Sequence, residues 1–131
     1  MLGKAEGLNH LQVLIVEDEA ITRTALVVLL EHQGASVVAV GSVKEGREAL
    51  MTLRPDILIS NFRLPDGNGA DVLQTLRKLD AELRTLTPAI VLSGEILETL
   101  RTDPESAGFQ LYMSKPFESQ ALVAAIRQLL S

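Results

Sequence analysis

Along this chain, short runs of β-branched and other apolar residues alternate with longer stretches in which apolar residues recur every three or four positions. These are the periods of buried strands and of amphipathic helices. Gln12-Val13-Leu14-Ile15-Val16 is the first short run; it stops at Glu17-Asp18-Glu19, and its unbroken apolar character predicts a strand buried on both faces. From Ala20 to Gln33, Ile21, Ala25, Val28 and Leu29 recur at helical spacing, Leu26 and Leu30 widen the stripe, and Gly34 stands where a helix C-cap would. The unit then repeats. Ser36 to Val40 predicts a second strand, and Ser42 with Glu45 has the form of a capping box opening a helix that runs to about Leu53 and is stopped by Pro55. Ile57 to Ser60 predicts a third strand, followed by a loop that carries Asn61 and a turn from Pro65 to Gly69 in which Asn68-Gly69 serves only the turn. The next helix has Val72, Leu73, Leu76, Leu79 and Leu83 on one side. Ala89 to Leu92 predicts the fourth strand, ending at Ser93-Gly94, and a short fourth helix follows around Ile96 to Thr102. Gln110 to Ser114 predicts the fifth strand, and Leu122, Val123, Ile126, Leu129 and Leu130 line a final helix.

Strands alternating one by one with helices imply right-handed crossovers and a single parallel sheet covered on both faces. In such sheets ligands sit outside the carboxyl ends of the strands. The residues at those ends are Glu17 and Asp18, Asn61, Ser93 and Lys115. Position nominates them, and chemistry then joins them. Adjacent carboxylates are hard oxygen ligands suited to Mg²⁺, which keeps several waters and needs only one or two carboxylates beside a phosphoryl oxygen. Lys115 offers a mobile cation for a phosphoryl group, and Ser93 a short hydroxyl donor. Metal, cation and donor are the parts that phosphoryl transfer requires. The nucleophile is missing, because the side chain delivered among them is a carboxamide.

A length of 131 residues fits one domain. Met1 to His10 is polar and without periodicity, which predicts a flexible tail ahead of a folded domain at 11–131. Cysteine is absent and histidine is confined to His10 and His32, so disulfides, thiolate chemistry and a Cys/His metal cluster are excluded. A net charge of -5 argues against direct contact with nucleic acid, whose phosphates need a basic face. No apolar run approaches a membrane span and no signal-peptide core opens the chain, so a cytoplasmic location is expected.

With these residues in view, the chain resembles the receiver domains of two-component response regulators. VLIVEDE (13–19), PDILISNFRLPDG (55–67), VLSGE (91–95) and YMSKPF (112–117) stand in that family's order and spacing, and the resemblance covers Leu11 to Leu130. It implies a flavodoxin-like (βα)5 three-layer sandwich with a five-stranded parallel sheet in the order 2-1-3-4-5. It implies a phosphorelay signalling module and not an enzyme, partnered by a sensor histidine kinase or a histidine phosphotransfer protein. It further implies that Asp18 ligands Mg²⁺ directly and Glu17 largely through water, that the Arg63 carbonyl adds a ligand, and that Lys115 pairs with the phosphoryl group. Ser93 would be the switch hydroxyl, Tyr112 the switch aromatic, and the Lys115-Pro116 peptide cis. The fragment SNFRLPDGNG is closest in wording to receivers of hybrid sensor histidine kinases.

The departure from the family falls on Asn61, which occupies the place of the phospho-accepting aspartate. A carboxamide keeps the shape of a carboxylate but is neutral and a poor nucleophile, so no acyl phosphate is expected and Mg²⁺ binding should be weakened. Two origins fit: a receiver that has lost its acceptor and works as a phosphorylation-independent interaction module, or an aspartate-to-asparagine substitution that locks an ordinary receiver unphosphorylated. The intact remainder of the site favours the second. A binding module would dock partners, or a second copy, through the face of the fourth helix, fifth strand and fifth helix. A small aspartyl phosphatase would need a second acid beside Asn61-Phe62-Arg63, which offers none. Flavodoxin-like cofactor binding would need a phosphate-cradling loop where Glu17-Asp18-Glu19 stands.

Overall fold

In the computed structural model, which describes residues 7–94, 98 and 102–131, every apolar run identified above is a strand. The elements are β1 (Gln12–Val16), α1 (Ala20–His32), β2 (Ser36–Val40), α2 (Val43–Leu50), β3 (Ile57–Asn61), α3 (Gly69–Leu83), β4 (Ala89–Ser93), β5 (Leu111–Ser114) and α4 (Ser119–Leu130), with a 3-10 turn at Pro104–Ala107. A two-residue antiparallel hairpin, Arg63–Leu64 against Gly67–Asn68, stands outside the main sheet. The expected short helix at Ile96 to Thr102 lies mostly outside the described residues. The five long strands are parallel in the order β2-β1-β3-β4-β5, the flavodoxin-like arrangement.

Alternation along each buried strand divides the core into two layers. Val13 and Ile15, Ile57 and Ile59, and Ile90 and Leu92 face α1 and α4, where they meet Leu26, Leu30, Leu122, Val123 and Ile126. Leu14 and Val16, Leu58, and Ala89 and Val91 face the other way, toward Leu50, Val72, Leu73, Leu76 and Phe109. Among the described residues no helix is long and apolar enough to cross a membrane.

Several expectations shift by a few residues or by one face. In α1 the buried positions are Leu26 and Leu30, whereas Ile21 (80% exposed), Ala25 and Val28 (63%) point outward. All five side chains are apolar, so the pattern could not choose between neighbouring stripes. Leu26 and Leu30, at i and i+4 and flanked by Val27 and Leu29, fill the groove over the sheet. The helix ends as expected at a glycine of positive φ, Gly34 at 100°. α2 closes at Leu50 and not at Leu53; Met51 to Leu53 continue as a turn whose amides donate to Glu48 and Ala49 carbonyls. Ser42 does cap α2, accepting from the Glu45 amide at 3.1 Å, but the Glu45 carboxylate reaches back to the Gly41 amide. The reciprocal capping box is instead at α3, between Asn68 and Asp71, so Asn68 is a helix cap as well as a turn residue. Leu83, the last residue of α3 and one turn beyond the buried Asp80, is 52% exposed. The apolar positions Leu122, Val123 and Ile126 of α4 are spent on the core and not on an outer face.

Leu8 corrects the extent of the expected tail. It is fully buried in the α1/α4 layer, its amide donates to the Gln33 carbonyl at 3.0 Å, and its own carbonyl accepts from the Leu11 amide. One apolar residue among polar neighbours gave no period to read. Leu8→Ala is expected to lower stability by about 2 kcal/mol, near the low end for such truncations because a site close to a chain end relaxes readily. Urea unfolding measures this, and an unchanged midpoint would return Leu8 to an unattached tail.

Candidate functional site

Because the sheet is parallel, the ends of β1, β3, β4 and β5 open on one edge. Val16 pairs with Ser60 and Asn61 with Leu92, so the residues that leave β1 and β3 emerge side by side. Asn61 is the last residue of β3, one position inside the strand and not in the loop as expected. It is almost enclosed, at 9% exposure.

The Asn61 carboxamide makes two bonds. Its Nδ2 donates to Asp18 Oδ1 at 3.0 Å and to the Arg63 carbonyl at 2.9 Å. A carboxylate and a carbonyl only accept, so the hydrogen-bond chemistry fixes which way round the amide lies. Glu17 is fully buried, and both its oxygens are engaged: Oε1 with Lys115 Nζ and Oε2 with the Glu19 amide at 3.0 Å. Arg23 in α1 ties down the loop between β1 and α1, its guanidinium donating to the Glu17 carbonyl at 2.9 Å and the Asp18 carbonyl at 3.4 Å.

The loop after β3 is held from the other side. Asp66 reaches across to the start of α2 and accepts from the Val43 amide at 2.8 Å and the Lys44 amide at 3.0 Å. Those two amides hold its carboxyl below the ordinary carboxylate range. The Phe62 amide donates to the Leu92 carbonyl and the Gly69 amide to the Phe62 carbonyl, each at 2.8 Å. Glycine at 69 is required by packing, since a Cβ there would stand 2.8 Å from the Asn61 carbonyl oxygen. The Arg63 carbonyl is therefore placed by a loop anchored at three points.

Of the residues nominated from sequence, the fold joins Glu17 to Lys115, and Asp18, Asn61 and the Arg63 carbonyl to one another. Ser93 ends β4 on the same edge, 2% exposed, with its carbonyl accepting from the Lys115 amide at 2.8 Å. Tyr112 lies in β5, half-buried against the α2/α3 core layer. The Lys115-Pro116 peptide is cis. Arg23 and Asp66 were missed, for their partners lie across a loop or on another helix and no local spacing announces them.

Acceptor oxygens of the kind that hold Mg²⁺ thus converge here, yet Asp18 Oδ1, the Arg63 carbonyl and both Glu17 oxygens already accept from donors of the protein. Among the described residues no buried side-chain nitrogen or oxygen lacks a hydrogen-bond partner. No group of three or more His, Cys, Asp or Glu side chains among them is placed to hold a metal ion.

The sequence model of the response regulator receiver domain matches residues 13–127. The KDP operon transcriptional regulatory protein KdpE of Escherichia coli is 36% identical over 115 residues, which are 88% of this chain and 49% of that protein. This chain therefore spans about half the length of that curated relative, and similarly 48% of the cell cycle transcriptional regulator CtrA of Caulobacter vibrioides. Among solved structures, the receiver domain of a sensor histidine kinase from Pseudomonas aeruginosa, described with a magnesium ion coordinated in its active site cleft, superposes with a TM-score of 0.78. It is 25% identical, and the match covers 92% of this chain and 97% of that one. A putative response regulator from Chloroflexus aurantiacus, also 25% identical, gives a TM-score of 0.82 over 93% of this chain and 98% of that one.

Proposed function

This chain belongs to the response regulator receiver domain family, and we propose that within it the phospho-acceptor position is residue 61, held here by an asparagine. Receiver domains act in two-component phosphorelay signalling, as modules that interact with histidine kinases or phosphotransfer proteins. The observation that carries the assignment is the placement of the Asn61 carboxamide. It closes β3 within 3.0 Å of the Asp18 carboxylate and 2.9 Å of the Arg63 carbonyl, on the edge where Lys115 also arrives.

With an aspartate at 61, a carboxylate oxygen would attack the phosphorus of a partner's phosphohistidine, forming the acyl phosphate as the phosphorus–nitrogen bond breaks and the imidazole leaves. Asp18 and the Arg63 carbonyl would hold Mg²⁺ directly and Glu17 through water; that ion, when bound, neutralises charge on the transferring group. Lys115 would exchange Glu17 for the incoming phosphoryl group, and Ser93 and Tyr112 would report its arrival as switch hydroxyl and switch aromatic. With the carboxamide, the nucleophile is absent and the site lacks one negative charge, so phosphorylation fails and Mg²⁺ is held more weakly. The net charge of -5 supports a domain that does not itself touch nucleic acid.

Intact mass after incubation with acetyl phosphate and Mg²⁺ tests the assignment. The protein as it stands should keep its mass, and Asn61→Asp should gain one phosphoryl group. A gain by the asparagine form without one by the aspartate form would overturn it.

The mutually satisfied bonds around Asn61 also favour a second reading, a phosphorylation-independent interaction module held in one state. It requires partner affinity to be the same for Asn61→Asp, and a large change when that variant is phosphorylated would refute it. Homodimerisation through the face of β5 and α4 draws no support from Leu122, Val123 and Ile126, which are buried in the core.

A further inference from the structure

We infer that the Asn61 carboxamide does more than remove a charge: its NH₂ group takes the place of the divalent cation, closing the site with an internal bridge that excludes Mg²⁺ at millimolar concentrations. The inference deepens the receiver reading and rests on it for the expectation that an aspartate at 61 restores a cation site.

Nδ2 stands 3.0 Å from Asp18 Oδ1 and 2.9 Å from the Arg63 carbonyl oxygen, one acceptor on the loop after β1 and the other on the loop after β3. A single positively polarised group bridging two oxygens from opposite loops performs the cross-linking that a bound cation would perform. The amide has two N–H donors and uses one on each acceptor, so neither is spare. The remaining carboxylate, Glu17, is likewise spent on Lys115 and the Glu19 amide. Mg²⁺ binds with near-octahedral geometry and gives up water reluctantly. To admit it, the amide would have to turn over, present Oδ1 and break both bonds, leaving its NH₂ group to find new acceptors at a position only 9% exposed. Loss of charge alone makes the site a weak one. The bridge makes it a filled one.

These two causes separate experimentally, because Asn61→Ala removes the amide at constant charge. Thermal unfolding of the full chain would be followed with MgCl₂ absent and at about 10 mM, a level at which a millimolar site gives a clear stabilisation. The protein with Asn61 should show no shift, Asn61→Asp a rise of several degrees, and Asn61→Ala a lower melting temperature without metal that Mg²⁺ partly restores. Equal indifference of Asn61→Ala and the asparagine form would overturn the bridge and leave charge loss as the whole cause. A shift in the asparagine form as large as in Asn61→Asp would overturn it too. Indifference of Asn61→Asp would instead overturn the receiver assignment of the site, and the bridge with it. If Asn61→Ala does not fold, the side-chain NH₂ signals of Asn61 in a ¹⁵N spectrum serve, assigned by their loss in Asn61→Asp. The bridge requires them to stay in place as Mg²⁺ is added, and their movement would refute it.

Discussion

Lys115→Ala is expected to destabilise the fold by about 3 kcal/mol, far more than loss of a surface cation. Glu17 is fully buried and its partner lysine is 22% exposed, so the pair is screened mainly by protein on the carboxylate side. Taking away the ammonium leaves a buried carboxylate that still accepts from the Glu19 amide but has lost its charged partner. Removing one member of a buried pair typically costs about 3 to 5 kcal/mol, and the partial exposure of Lys115 sets the expectation at the lower end. Glu17→Gln in the same chain should recover much of the loss, since the uncompensated charge goes with it. Urea unfolding of the two single variants and the double variant gives the coupling. A cost for Lys115→Ala below about 1 kcal/mol would show that Lys115 behaves as an ordinary surface partner.

The second large effect lies at the opposite end of the sheet. Asp80, 5% exposed, accepts from Arg77 at 2.7 Å, from the Thr85 hydroxyl at 3.1 Å, and from the Thr87 amide and hydroxyl at 3.0 and 2.7 Å. Arg77 in turn donates to the Thr87 and Gly108 carbonyls, so the cluster ties α3 to the segments entering β4 and β5. Asp80→Ala should strand these donors and cost about 3 kcal/mol.

Burial alone would push the Asp80 carboxyl up, but the Thr87 amide and hydroxyl, Arg77 and Thr85 outweigh it and hold the carboxyl below its ordinary value. A group depressed on folding contributes stability that is complete above its unfolded pKa, about 3.9, and is lost as pH falls through the lower folded value. The stability gap between the native chain and Asp80→Asn should therefore be level from neutral pH down to about 5 and shrink below about 4. A gap that widens on acidification would contradict this cluster.

The strands were legible because parallel strands covered on both faces must be apolar without interruption, as β1, β3 and β4 are. Their alternation with helices gave the architecture, and the rule that ligands sit at strand ends gave Glu17, Asp18, Asn61, Ser93 and Lys115 before any chemistry was considered. What stayed hidden depends on contacts distant in sequence. Ile21 and Leu26 are equally apolar, and only packing against the sheet separates an outward residue from a core one. Asp66 caps a helix that begins 23 residues earlier, and Leu8 is a core residue inside a polar stretch. The carboxamide at 61 could be placed from sequence, but not the direction its NH₂ group faces, which the acceptors Asp18 and Arg63 decide.

The most direct test is where a phosphoryl group lands. Asn61→Asp, treated with acetyl phosphate and Mg²⁺ and then fragmented for mass spectrometry, should carry one phosphoryl group on residue 61 and nowhere else, while the asparagine form carries none. A phosphoryl group on Asp18, Asp66 or any other residue, or no uptake by the aspartate variant, would contradict the assignment of residue 61 as the nucleophile's place.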